Sequence, residues 1–308
     1  MDKKLENLWR LIREYCESAG GRIAVYRDEP MSRHTSFKVG GSADLYLVPE
    51  DRDALIELCS IIRETGVKAF FLGNGSNVIF ADEGYRGAVV SLSALSSVEI
   101  SGNEIIAEAG ATIASLTKTA RDHSLAGLEF AYGIPGSVGG AVTMNAGAYG
   151  GEICQVLKAS TYLNTEDLTV HTIYTDDHHF GYRDSVYRHH KYVILSAVFE
   201  LAEGNRDEIS ALMNDYMQRR VSKQPLEYPS AGSIFKRYPG RFTGQMIEEA
   251  GLKGYTIGGA QVSEKHAGFI VNRGGATTQN IIDLIEYIKK VILEKFGCEL
   301  ECEVIVVR

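Results

Sequence analysis

Apolar residues recur every three or four positions in some stretches of the chain and alternate or run together in others. Leu5, Leu8, Trp9, Ile12 and Tyr15 share one face at helical spacing, and Gly20-Gly21 stops them. This predicts an amphipathic helix with a glycine end. Residues 43–48 alternate as a short strand. Pro49 and Asp51 open a helix over 51–62, closed by Gly66. Residues 67–72 form an apolar strand that runs straight into Gly73-Asn74-Gly75-Ser76-Asn77. The segment 1–89 is therefore expected to be a small α/β unit.

From residue 88 the pattern changes. Short strands are predicted at 89–92, 98–100 and 105–109, with a turn at Ser101-Gly102-Asn103, followed by a helix over 113–123. Strands return at 157–163, 169–174 and 192–201, which makes an α+β pattern. A helix over 207–220 is ended by Pro225. The last part holds a strand-like 268–271 and a long helix over 278–296, whose stripe is Ile281, Leu284, Ile285, Ile288, Val291 and Ile292. Residues 299–307 alternate as a closing strand, and Cys298 and Cys302 are both read as sitting in an apparent strand. No repeat, low-complexity tract or long linker interrupts the chain. The expected division is 1–89, 90–218 and 219–298.

Composition narrows the class. The chain has 308 residues, 44% hydrophobic and 23% charged, enough for two or three domains with a sizeable core. A net charge of −8 gives no footprint for nucleic acid or an anionic membrane. The five cysteines are odd in number and widely spaced, which points to reduced thiols and a cytoplasmic setting. Cys298 and Cys302 read as buried thiols. His178-His179 and His189-His190 lack carboxylates or cysteines at ligand spacing, so exposed histidines and no metal are expected. The first 18 residues are charged throughout. No signal peptide or membrane-spanning helix is expected.

The densest chemistry lies in 127–152. There Gly133, Gly136, Gly139, Gly140, Gly147, Gly150 and Gly151 leave runs of bare backbone. Bare peptide N–H groups make concave anion sites of the kind a diphosphate needs. Ile134, Pro135, Val138, Val142 and Met144 are too stiff or apolar for a flexible linker. Gly73-Asn74-Gly75-Ser76-Asn77 is a second candidate cradle, with side-chain donors and acceptors added. His34-Thr35-Ser36-Phe37-Lys38-Val39-Gly40-Gly41 is a third. Neither glycine-rich segment fits a Rossmann fingerprint or a P-loop.

Further segments follow in order. They are Gly181-Tyr182-Arg183-Asp184-Ser185, Pro229-Ser230-Ala231-Gly232-Ser233-Ile234-Phe235-Lys236, Gly251-Leu252-Lys253-Gly254, Gly258-Gly259-Ala260-Gln261-Val262-Ser263 and Glu301-Cys302-Glu303-Val304. With the three cradles, the set resembles the UDP-N-acetylenolpyruvoylglucosamine reductase family over nearly all of the chain beyond its first 30 or so residues. The resemblance implies an α+β protein with a vanillyl-alcohol-oxidase-type FAD-binding fold. Two α/β subdomains would hold FAD and a third, α+β, domain the substrate, with 299–308 returning to the first. It implies non-covalent FAD, NADPH as hydride donor, and reduction of UDP-N-acetylglucosamine enolpyruvate to UDP-N-acetylmuramate for peptidoglycan. A monomer is expected.

The same resemblance assigns residues. Gly73, Asn74, Gly75, Ser76, Asn77, Gly133, Ile134, Pro135, Gly136, Ser137, Gly139, Gly140, Asn145 and Gly147 would line the cofactor. Ser233 would protonate C2 of the substrate, and Arg183 would hold its carboxylate and stabilise enolate charge. Glu303 would assist in its protonated form, with Glu301, two residues away on the same face, as its rival. Tyr182, Lys223, Lys236, Lys253, His266 and Asn272 would meet the UDP-sugar. Only 186–191 separates the Arg183 motif from the next strand, so the chain resembles the shorter type, without a tyrosine loop over the UDP. The alternatives are another FAD-dependent oxidoreductase of this fold and a non-catalytic flavin-binding protein. The Ser233 and Arg183 motifs favour the reductase over both.

Overall fold

Two hydrophobic cores organise the chain, and the computed structural model describes residues 2–308. One unit takes in the chain up to Arg27, Asp44–Asn74 and Gly87–Gln218. The other takes in Asp28–Ala43, Gly75–Arg86 and Arg219–Arg308.

In the first unit, helix Lys3–Ala19 buries Leu5, Leu8 and Ile12 and ends at Gly20 with φ 66°. Helix Arg52–Thr65 starts where the Asp51 carboxylate accepts the Ala54 N–H at 2.8 Å, and ends at left-handed Gly66. Strand Ala69–Leu72 pairs in parallel with Tyr85–Ser91. A five-stranded antiparallel sheet follows, in the order Val170–Tyr174, Leu157–Asn164, Tyr192–Glu200, Glu104–Glu108, Val98–Ser101. Its central strands bury Ile105, Ala107, Leu163, Ala197 and Phe199 in the first core. Helix Ile113–Asp122 is capped by Thr112, whose hydroxyl accepts the Ser115 N–H at 3.0 Å.

One departure from the sequence pattern lies within 127–152. A short helix, Val138–Thr143, sits among the glycines with Ser137 as its N-cap. Glycine disfavours helix by about 1 kcal/mol, but Val138, Ala141 and Val142 are buried here. Gly139 has room for little else, since an added Cβ would lie 3.0 Å from Ala109 Cβ. Packing overrides propensity.

In the second unit, Thr256–Ile257, Ala260–Val262 and Ile270–Asn272 form a three-stranded antiparallel sheet. Helix Thr278–Phe296 opens with a capping box between Thr277 and Asn280 and closes at Gly297 with φ 66°. It buries Ile281, Leu284, Ile285, Ile288 and Ile292 against Phe37, Ile79, Ile234 and Ile247. The predicted closing strand is split. Residues 301–303 run beside 234–236 through an isolated antiparallel bridge between Phe235 and Cys302. Only Ile305–Val307 forms a full strand, paired in parallel with Val78–Phe80. Cys298 sits just past the helix end. Among the described residues no helix is long and apolar enough to cross a membrane.

Candidate functional site

The glycine segments are brought together pairwise. In the first unit, a Cβ added to Gly73 would lie 2.3 Å from Ser137 Oγ, so the first two candidate cradles touch at bare backbone. In the second unit, a Cβ on Gly75 would lie 1.9 Å from the His34 carbonyl oxygen, and Gly75 has φ 62°. The Ser36 N–H donates to the Gly75 carbonyl at 3.0 Å. Thus His34-to-Gly41 abuts Gly75 within the second unit. Part of the expected N–H array is already used within the protein. Val138 N–H bonds Ala111 O, Gly139 N–H bonds Ala109 O, and Gly140 N–H bonds Ser137 Oγ. Those glycines serve close packing, while Gly73 and Gly75 mark the places where no side chain fits. Backbone without side chains is what a turn that cradles a diphosphate requires, so the residue types present fit FAD.

Gly75→Ala tests that fit. Left-handed backbone costs a non-glycine residue about 1–2 kcal/mol, and the new methyl would also overlap the His34 carbonyl. The expected result is a folded protein that retains FAD at least 10-fold more weakly, read by flavin fluorescence on dilution.

Arg183 occupies a two-residue turn. Gly181 N–H donates to Asp184 O at 3.0 Å, and Asp184 N–H donates back to Gly181 O at 3.3 Å. Arg183 itself has φ 55°, a left-handed conformation that L side chains rarely adopt. Its guanidinium donates to the carbonyls of Gly147 at 3.1 Å and Asn145 at 3.4 Å and lies over the Tyr182 ring at 5.0 Å. Tyr182 is itself exposed. Asn145, buried and at φ 40°, donates to Gly181 O and Glu152 and accepts from Cys154 N. The structure therefore gathers Asn145 and Gly147, assigned by resemblance to the cofactor, around Arg183. On the same hairpin, Tyr149 stacks on Tyr216 with ring centroids 4.5 Å apart, a pair the sequence pattern did not signal.

The second unit gathers Ser233 and Glu303. Ser233 follows Gly232, at φ 75°, and bridges to Phe269. The next residue, Ile234, donates its N–H to Gly268 O at 3.0 Å and accepts the Glu303 N–H at 2.8 Å. Asn77 donates to Glu303 O at 3.2 Å, and Ser36 donates to Ser230 O at 2.6 Å. Glu303 is partly buried. Glu301, by contrast, has a side chain 70% exposed and bound to Lys236 Nζ at 2.5 Å.

The remaining candidates differ in availability. Lys253 pairs with Glu248 at 2.6 Å, and Lys223 is exposed at the end of helix Arg206–Lys223. His266 Nδ1 accepts the Gly268 N–H at 3.1 Å, which leaves the proton on Nε2. Burial lowers its pKa, so the ring is neutral. It thereby holds the residue that anchors Ile234. Asn272 is buried and engaged with Phe37 O, Gly274 N and Ala276 N.

One sequence expectation is corrected. His178 is not exposed but fully buried, stacked on Phe180 at 5.0 Å and bonded to Ser160. The pattern of flanking acids and histidines gave no sign of this. Among the described residues no group of His, Cys, Asp or Glu could hold a metal ion.

Two segments of the chain match known family models. Residues 43–172 match a family model described as an FAD binding domain. Residues 224–307 match one described as the C-terminal domain of UDP-N-acetylenolpyruvoylglucosamine reductase. A Caldanaerobacter subterraneus protein of that name is 50% identical over 283 residues, covering 92% of this chain and 93% of its own. One from Clostridium novyi is 48% identical over 296 residues, covering 96% of each. The crystal structure of the Thermus caldophilus reductase superposes with a TM-score of 0.79 at 32% identity, covering 94% of this chain and 100% of its own.

Proposed function

Because this chain belongs to the UDP-N-acetylenolpyruvoylglucosamine reductase family, we propose a division of labour among its residues for that family's reaction. The protein is an FAD-dependent oxidoreductase that uses NADPH to reduce UDP-N-acetylglucosamine enolpyruvate for peptidoglycan synthesis. The expected FAD-binding α+β fold is borne out. The chemistry that FAD supplies when bound is hydride transfer, from NADPH and on to C3 of the enolpyruvyl ether.

The chain's own residues do the rest. Gly73-to-Asn77 and Gly133-to-Gly147 would hold the cofactor. Arg183 would bind the substrate carboxylate through its planar guanidinium and stabilise the negative charge that spreads onto it. Ser233 would deliver a proton to C2, which with the hydride at C3 saturates the double bond and leaves the lactyl ether. Glu303 is the better carboxylate partner, because Glu301 is exposed and bound to Lys236. The observation that carries this assignment is the backbone bond from Glu303 N to Ile234 O at 2.8 Å, which joins the Glu303 strand to the residue after Ser233. Tyr182, Lys223, Lys236, Lys253, His266 and Asn272 would serve the UDP-sugar. The three-part division at 89/90 and 218/219, a monomeric state and a cytoplasmic location complete the reading.

The test is anaerobic. NADPH is added to the FAD-loaded protein with and without UDP-N-acetylglucosamine enolpyruvate, and absorbance is followed. NADPH oxidation in molar step with the enolpyruvyl sugar is expected. Flavin bleaching that the sugar does not reverse would point to another oxidoreductase of this fold, and failure to retain flavin to a different role altogether.

A further inference from the structure

We propose that Ser160 is a positioning residue for Arg183, its single hydroxyl fastening both ends of the segment that carries the arginine. Ser160 lies on strand Leu157–Asn164, paired on one side with Tyr192–Glu200 and on the other with Val170–Tyr174. Its Oγ is 2.6 Å from His178 Nε2 and 2.6 Å from the Tyr187 hydroxyl. The three residues are 1%, 0% and 5% exposed. Between His178 and Tyr187 run residues 179–186, with Tyr182 and Arg183 in the two-residue turn.

The direction of every bond in this chain follows from its ends. His178 Nδ1 lies 3.0 Å from the Thr175 carbonyl, which only accepts, so Nδ1 carries the proton. Burial lowers the His178 pKa and keeps the ring neutral, leaving Nε2 bare. Nε2 then accepts from Ser160, and the Ser160 oxygen accepts from Tyr187. One hydroxyl on a central strand thus donates to the residue before the loop and accepts from the residue after it. An alanine there would strand a buried acceptor and a buried donor together.

The arrangement has a reason in the Arg183 backbone. A left-handed non-glycine residue persists only where its surroundings over-determine it. The inner ties of the loop include Asn145 to Gly181 O, Ser185 Oγ to Thr143 O at 2.8 Å and Arg188 Nη1 to the Arg183 carbonyl at 2.9 Å. Ser160 supplies the outer tie, at both flanks. Loosening it would let the turn relax and the guanidinium drift from its contacts. Ångström-scale displacement of a substrate-orienting group slows reaction by up to about 100-fold.

This rests on the reading that Arg183 holds the substrate carboxylate, and the experiment separates the two. Ser160→Ala and the milder Tyr187→Phe are made in the FAD-loaded full chain, alone and with Arg183→Lys. Three quantities are measured for each: flavin reduction by NADPH, reoxidation by the enolpyruvyl sugar, and affinity of the oxidised protein for UDP-N-acetylmuramate. The expected result is reoxidation slowed about 10- to 100-fold and product affinity weakened, with flavin reduction within about 2-fold of wild type. In the Arg183→Lys background, neither variant should slow reoxidation by more than about a further 2-fold, because contacts in series are not additive. Equal loss in both half-reactions would mean a merely structural role and overturn the proposal. So would full multiplicative loss on top of Arg183→Lys, or no loss in either folded single variant. If Arg183→Lys alone left reoxidation untouched, the assignment of Arg183 would fail first and take the proposal with it.

Discussion

Ser233→Ala is expected to leave NADPH able to reduce the flavin at near wild-type rate while slowing hydride return to the enolpyruvyl sugar about 10²- to 10⁴-fold. The split follows from where the proton is needed. Flavin reduction by NADPH makes no demand on a proton donor at C2 of the sugar. Reduction of the enolpyruvyl ether does, because hydride arriving at C3 leaves electron density on C2 and the carboxylate. The position of Ser233 is fixed by backbone bonds of its neighbours rather than by its hydroxyl. Ile234 is held by both Gly268 and Glu303, so alanine preserves the strand. Stopped-flow measurement of each half-reaction reads the effect directly. Ser233→Cys, which keeps a protic group, should recover part of the loss. Equal slowing of both halves, or full turnover by the alanine variant, would remove Ser233 from the role of proton donor.

The helices were the most legible part of the chain, because each carries its own punctuation. The apolar stripe alone placed the 278–296 helix, and the structure shows its ends marked by Thr277 and Gly297. Asp51 and Gly66 likewise bracketed Arg52–Thr65, although the predicted end at 62 fell a turn short. The closing strand was legible only in its alternation. Its split into a bridge beside Phe235 and a ladder on Val78–Phe80 depends on two distant segments that periodicity cannot see. Of the candidate site, Ser233, Glu303 and Arg183 could be named because the motifs that hold them carry the family resemblance. The supporting residues could not. Ser160 reads as one polar position in an ordinary strand, and His178 as one of several surface histidines. Only the fold brings them within 2.6 Å of each other. Asn145 shows a milder form of the same limit. The resemblance assigns it to the cofactor, and its amide also ties the 181–184 turn to Glu152 and Cys154, which the sequence did not signal.

Arg183→Gly is expected to separate stability from activity more sharply than any other single change. At φ 55°, arginine carries a backbone cost of about 1–2 kcal/mol that glycine escapes. Against this, the variant loses hydrogen bonds to Gly147 O and Asn145 O, each contributing about 0.5–1.5 kcal/mol. Glycine also loses about 0.5–1 kcal/mol through the greater freedom of the unfolded chain. The losses exceed the relief by only about 1 kcal/mol at the midpoints of these ranges, so the melting temperature should fall by no more than a few degrees. Arg183→Ala keeps the strain while losing the same hydrogen bonds, and should be the less stable of the two. Catalysis behaves differently. Both variants remove the guanidinium from the substrate carboxylate and from the charge that develops on it, a loss of about 10²- to 10³-fold in the reoxidation step. Arg183→Lys keeps the charge but not the planar fork, and should fall between them and the wild type. If Arg183→Gly were both stable and fully active, the guanidinium would have no part in the reaction. If instead it unfolded, Arg183 would be a structural tie for the Gly147 hairpin. The expected pattern, stable and slow, is the one that explains why a strained arginine stands where glycine would fit more easily: the backbone is held in an unfavourable conformation because that conformation aims the side chain.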